Sequence, residues 1–168
     1  MAQHLGPDRR GRRTAAARLR KTLAKSSGRE RRNAAVALSL FEDPASVPVL
    51  RHGLRSRTSW DRWESASCLV GYKDPKAARD ILNLYPREPD ADTRQEMVRA
   101  LGGVNAPGVV KFLKKRLSEP NPTIRAAAVD ALSRFDDNQT RSILVGRLSR
   151  ERSPFVRKEI RQALASWH

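Results

Sequence analysis

The chain has 168 residues and a formal net charge of +16, from 34 Lys and Arg against 18 Asp and Glu, with a sequence pI near 11.3. Aromatic residues make up 5% and apolar residues 39%, which argues against a strand sandwich rich in aromatic and β-branched side chains and points to Ala and Leu packing between helices. The lone Cys68 excludes an internal disulfide and reads as core, and no apolar run reaches the roughly 20 residues that a membrane helix needs.

Residues 1–13 hold Gly6-Pro7 and Arg9-Arg10-Gly11-Arg12-Arg13 without apolar periodicity. They read as a basic arm ahead of a repeat domain over residues 14–168. Charged residues stand where a signal peptide would need its apolar segment, so a cytoplasmic protein is expected. Residues 1–58 carry 14 of the 34 basic residues but only 4 of the 18 acidic ones, which makes this the positive end. A field of this sign attracts polyanions and acidic protein surfaces.

The first helix is expected over 14–26, capped by Thr14, with Leu19 and Leu23 inward and Ser26-Ser27-Gly28 as its break; its partner follows over 29–41. A second pair is read over 44–55 and 60–72, with Asp43 and Pro44 as cap and first-turn proline. The third occupies 75–85 and 91–101, where Pro86 ends the first helix early and Gly102-Gly103 ends the second. The fourth takes 106–117 and 122–135, and the fifth 137–149 and 154–167. Ten helices in five pairs are expected.

One frame runs through these pairs. Leu38, Leu69, Leu101, Leu132 and Leu164 are spaced by 31 or 32 residues, and seven residues before each stands an arginine: Arg31, Arg62, Arg94, Arg125 and Arg157. The residue preceding each leucine is small (Ala37, Cys68, Ala100, Ala131, Ala163), which lets a neighbouring helix come close. The first helices carry their own series, Leu19, Leu50, Leu82, Leu113 and Leu144. Such a period predicts an all-α stack of helix pairs.

The run Ile124-Arg125-Ala126-Ala127-Ala128-Val129-Asp130-Ala131-Leu132 resembles the second helix of the HEAT-like repeats, in the short form found in phycobilin lyases and many bacterial proteins. The resemblance covers roughly residues 14–168 and implies an all-α solenoid of about five HEAT-like helix pairs. Six residues before the arginine, where that family often places aspartate, the last three repeats have Glu88, Glu119 and Glu151, and the first two have Lys25 and Ser56.

An arginine kept in every repeat reads as part of the stack, paired with an acidic turn or a neighbouring carbonyl, rather than as a phosphate-binding row. The first helices differ. Arg20, Arg51 and Lys114 share one frame position and Lys21, His52 and Lys115 the next, so stacking would align them, with Arg55, into a partner-binding stripe. Trp60 and Trp63 open the second helix of repeat two on one face. The frame holds Arg32, Gln95, Ala126 and Lys158 where Trp63 stands, so the pair is read as an aromatic anchor with one ring buried and the other partly exposed.

No glycine-rich phosphate loop, nucleophile elbow or paired cysteine is present. None of His4, His52 or His168 precedes a glutamate, as the ligands of iron-dependent HEAT-repeat hydroxylases do. No catalytic residue, metal or cofactor is expected. The favoured reading is a non-enzymatic scaffold or adaptor that binds a protein partner, an acidic one given the net charge. The alternative is a nucleic-acid binder related to HEAT-like alkylpurine DNA glycosylases, whose tryptophans and aspartate Trp60, Asp61 and Trp63 resemble in composition. A phycobilin lyase or its chaperone is implied by the family resemblance alone.

Overall fold

The computed structural model describes residues 9–135 and 137–166, among which there are ten α-helices and no strand. They are α1 (Arg9–Lys25), α2 (Gly28–Ser39), α3 (Val47–Gly53), α4 (Ser59–Leu69), α5 (Pro75–Leu84), α6 (Ala91–Ala100), α7 (Val109–Arg116), α8 (Pro122–Ser133), α9 (Asn138–Leu148) and α10 (Pro154–Ala165). The second helices α2, α4, α6, α8 and α10 pack each on the next in one row, while α3, α5 and α7 line up in another. The result is an α-solenoid of five helix pairs.

The helix starts follow from local chemistry. The carboxylates of Asp74, Asp90 and Asp137 accept the backbone N–H of Ala77, Thr93 and Thr140 at 2.6, 2.7 and 2.8 Å, each satisfying a first-turn donor that the helix itself leaves open. Asn121 does the same for Thr123 ahead of Pro122, so α8 begins with a cap and a first-turn proline. That helix buries residues around its whole circumference, Ile124 and Ala126 through Val129 together with Ala131 and Leu132, because α6, α7, α9 and α10 all pack on it. The frame leucines Leu38, Leu69, Leu101 and Leu132 are buried, each contributing about 1.5–3 kcal/mol by leaving water. Gly53 on α3 lies against Ser65 on α4: a Cβ there would lie 2.0 Å from Ser65 Oγ.

Several boundaries differ from the sequence expectation. The first helix starts at Arg9, so residues 9–13 lie on α1 and only 1–8 of the expected arm fall outside the described residues. Before α3 the chain makes a 3-10 turn over Pro44–Ser46, in which Val47 donates to the Pro44 carbonyl that Pro48, lacking an N–H, cannot reach as an α-helical donor. Similarly, α5 tightens at Pro86 into a 3-10 turn over Tyr85–Arg87. α7 begins at Val109 rather than Ala106, with Gly108 at φ 83° as its N-terminal cap position. The expected end of the last helix at Trp167 lies outside the described residues.

The repeated arginines tie the turns together. Arg62 holds Glu88 with two hydrogen bonds of 2.6 and 2.8 Å, and Arg125 holds Glu151 with two of 3.0 and 2.9 Å. In both cases the carboxylate sits in the turn of the following repeat. The remaining guanidinium nitrogen donates backwards, from Arg62 to the carbonyls of Ser56 and Arg57 and from Arg125 to those of Glu119 and Pro120. Arg94 and Arg157 donate to the carbonyls of Glu88 and Glu151. Arg31, at the start of the series, is exposed and makes no ion pair among the described residues. Arg62 and Arg125 therefore clamp consecutive turns, Arg94 and Arg157 close only their own turns, and Arg31 does neither.

Candidate interaction surfaces

On α4 the first turn is fixed before its aromatic residues are reached. Thr58 Oγ1 accepts the Asp61 amide, while Asp61 accepts Ser56 Oγ at 2.9 Å and pairs with Arg32 on α2. Burial pushes the Asp61 carboxyl up, but the hydroxyls of Ser56 and Thr58 and the Arg32 guanidinium prevail and hold it below its ordinary value. Asp61 is thus committed to a structural bond across two repeats. The turn it stabilises projects Trp60 and Trp63, whose ring centroids lie 5.0 Å apart at an interplanar angle of 30°.

Trp60 is 63% exposed and Trp63 is half-buried, so neither ring lies in the core. The expectation that one of them is buried is corrected: Trp63 lies on the rim between α4 and α6. The pair lines a groove of about 490 Å³ with Ser59, Asp90, Asp92, Gln95 and Glu96. Asp90 is the α6 cap, held below its ordinary pKa by the hydroxyl and amide of Thr93, and Glu96 is bound by Arg99 at 2.8 Å. Asp92 is exposed and forms no ion pair among the described residues. An aromatic surface edged by carboxylates results, on a chain whose net charge is strongly positive.

The expected basic stripe is only partly available. Arg20 donates to Asp43 at 2.7 Å, and Arg51 and Arg55 both close on Asp80, each at 2.7 Å. Burial raises the Asp80 carboxyl, yet its bonds to Arg51 and Arg55 hold it below its ordinary value. These three arginines stitch first helices to the next repeat. Lys21, Lys114 and Lys115 are exposed and pair with no carboxylate among the described residues. Asp80 and the carboxylates opposite the tryptophans went unread in the sequence. The signal for Asp80 was present: it lies 29 residues beyond Arg51, close to one repeat.

Residues 78–165 match the family model for HEAT repeats, and residues 30–56 match the PBS lyase HEAT-like repeat. No curated protein sequence matches the chain. Among solved structures the chain is similar to one chain of the complex of CpcE and CpcF of phycocyanin lyase from Nostoc sp. PCC7120, with 18% identity and a TM-score of 0.66 over 89% of this chain and 98% of that chain. At that identity the likeness is one of fold. The expectation that the chain is not an enzyme is corrected here, because both the repeat matched at 30–56 and the similar complex are those of a lyase. No described helix is long and apolar enough to cross a membrane.

Proposed function

The chain belongs to the HEAT repeat family, and we propose that this solenoid is a protein-binding subunit of a lyase-type assembly, with its partner seated around Trp60 and Trp63. The observation that carries the reading is the mutually packed tryptophan pair, Trp60 exposed and Trp63 half-buried beside it, held on a capped and ion-paired helix start. Rigid aromatic side chains at the mouth of a groove are what protein interfaces use as anchors. Asp92 places free negative charge at the edge, beside Asp90 and Glu96 that are held by Thr93 and Arg99, so the partner segment over the pair is apolar or aromatic with a basic flank. The similar solved complex joins two proteins, CpcE and CpcF, in a phycocyanin lyase, which supports a role exercised in a two-chain assembly.

The cations within residues 1–13, with Lys21, Lys114 and Lys115, act at longer range by steering acidic surfaces toward the solenoid. Net charge also favours a second reading, nucleic-acid binding, which is then weak and lost as salt rises.

Affinity purification of the full chain from its native cells, after nuclease treatment, separates the two. The account expects a protein that co-purifies after nuclease treatment and is lost from the Trp60→Ala/Trp63→Ala variant, whose helical circular dichroism is unchanged. Retention of the same protein by that variant, or recovery of nucleic acid alone without nuclease, overturns it.

A further inference from the structure

A second surface lies on the first-helix side, away from the tryptophans. α7 and α9 both pack on α8, and between them opens a groove of about 740 Å³. Val110 and Ile143 give it an apolar floor. Its walls carry Lys111 and Lys114 from α7 and Arg147 and Arg150 from the α9 side. Arg147 is fastened to Glu151 at 2.6 Å, whereas Lys111, Lys114 and Arg150 are exposed and pair with no carboxylate among the described residues. This sets the groove apart from the first two repeats, where Asp43 and Asp80 consume Arg20, Arg51 and Arg55.

Gly146 supplies an independent observation. It lies inside α9, where glycine is among the poorest helix formers. Its φ is not left-handed, and a Cβ built on it would meet no atom within 4 Å. Neither backbone conformation nor packing within this chain requires a glycine there. What its missing side chain does is deepen the groove that it lines.

We propose that this groove docks an acidic amphipathic helix of a partner protein. A helix laid between α7 and α9 presents apolar residues at i, i+3, i+4 and i+7 to Val110, Ile143 and the space over Gly146. Both of its flanks then face free cations, Lys111 and Lys114 on one side and Arg150 on the other, so carboxylates on both flanks are complementary. The apolar floor favours this occupant over a nucleic-acid strand, whose phosphates gain nothing from Val110 and Ile143.

Fluorescence anisotropy of the full chain, at salt near the physiological level, tests the proposal with three labelled probes. They are a roughly 18-residue peptide with leucines at i, i+3, i+4 and i+7 and glutamates on both flanks, a scrambled peptide of the same composition, and a single-stranded DNA of about 20 nucleotides. The patterned peptide is expected to bind about tenfold or more tighter than the scrambled one. Gly146→Leu, which fills the groove, and Lys114→Glu/Arg150→Glu, which reverses its walls, each reduce that binding by about tenfold or more while keeping wild-type circular dichroism. Gly146→Ala controls for helix formation and keeps most of the affinity. Scrambled peptide or DNA binding as tightly as the patterned peptide overturns the proposal. So does unchanged peptide binding by a folded Gly146→Leu variant.

Discussion

Arg125 and Glu151 meet across the boundary between the fourth and fifth repeats through two hydrogen bonds of 3.0 and 2.9 Å, with the side chain of Glu151 only 1% exposed. The same guanidinium closes its own turn by donating to Glu119 and Pro120, so one side chain joins two consecutive turns. Removing it leaves a buried carboxylate with Arg147 and the Ser153 amide as its remaining donors. Arg125→Ala is therefore expected to destabilise the fold by about 1–3 kcal/mol. Arg31 has the same place in the repeat but is exposed and unpaired among the described residues, so Arg31→Ala should change stability by about 0.5 kcal/mol or less. Urea unfolding of both variants checks the contrast.

Burial pushes the Glu151 carboxyl up, but hydrogen bonds from Arg125, the Ser153 amide and Arg147 outweigh it and lower its pKa from 4.5 to about 2. A carboxylate depressed on folding stabilises the protein fully above its unfolded pKa and loses that contribution as pH falls through the folded one. The contribution of Glu151, about 3 kcal/mol at neutral pH, should thus fade between pH 4.5 and about 2. Asp80, also depressed, acts in the same sense. Thermal melts across this range should show Glu151→Gln with a flatter acid limb than wild type.

Helix propensity and packing oppose each other at Gly53. Alanine is the better helix former, but its Cβ would lie 2.0 Å from Ser65 Oγ and 3.1 Å from Ser65 Cβ. Overpacking of this kind costs about 1–3 kcal/mol, more than the propensity gain of up to about 1 kcal/mol. Gly53→Ala should lower the melting temperature, and adding Ser65→Ala, which removes the closer of the two atoms, should recover part of the loss.

The tryptophan face and the arginine stitches should separate in their consequences. Trp63→Ala is expected to weaken partner binding by about tenfold or more with little effect on folding. Arg51→Ala should do the reverse, because Arg51 is spent on Asp80. With its side chain partly exposed, the expected loss is about 0.5–1 kcal/mol of stability. Titration of the partner, once purified, and denaturant unfolding of the two variants distinguish the effects.

The stack was legible in the sequence because each repeat commits the same slot to leucine. Leu38, Leu69, Leu101 and Leu132 are all buried as the spacing predicts. The structural role of Arg62, Arg94, Arg125 and Arg157 was legible for a similar reason, since a residue kept in every repeat serves the repeat, whereas Arg31, with the same place in the frame, is exposed and unpaired among the described residues. Which carboxylate each one reaches was not, because Glu151 is met by folding the next turn over Arg125 rather than by adjacency in the chain. The basic stripe was misjudged in part because a sequence counts charges without pairing them: Arg20, Arg51 and Arg55 looked available until Asp43 and Asp80 were placed beside them. The frame left Trp63 unassigned. Only the packing of α4 against α6 shows it on a rim beside Glu96 rather than in the core.

The central claim is that a protein partner sits on Trp60 and Trp63. A photo-crosslinking amino acid placed at position 60 of the full chain, in its native cells, tests it most directly, with the same group at the exposed Arg79 on α5 as control. The account predicts a discrete protein adduct from position 60 that is absent from position 79 and withstands nuclease. Equal adducts from both positions, or only nuclease-sensitive adducts from position 60, would contradict it.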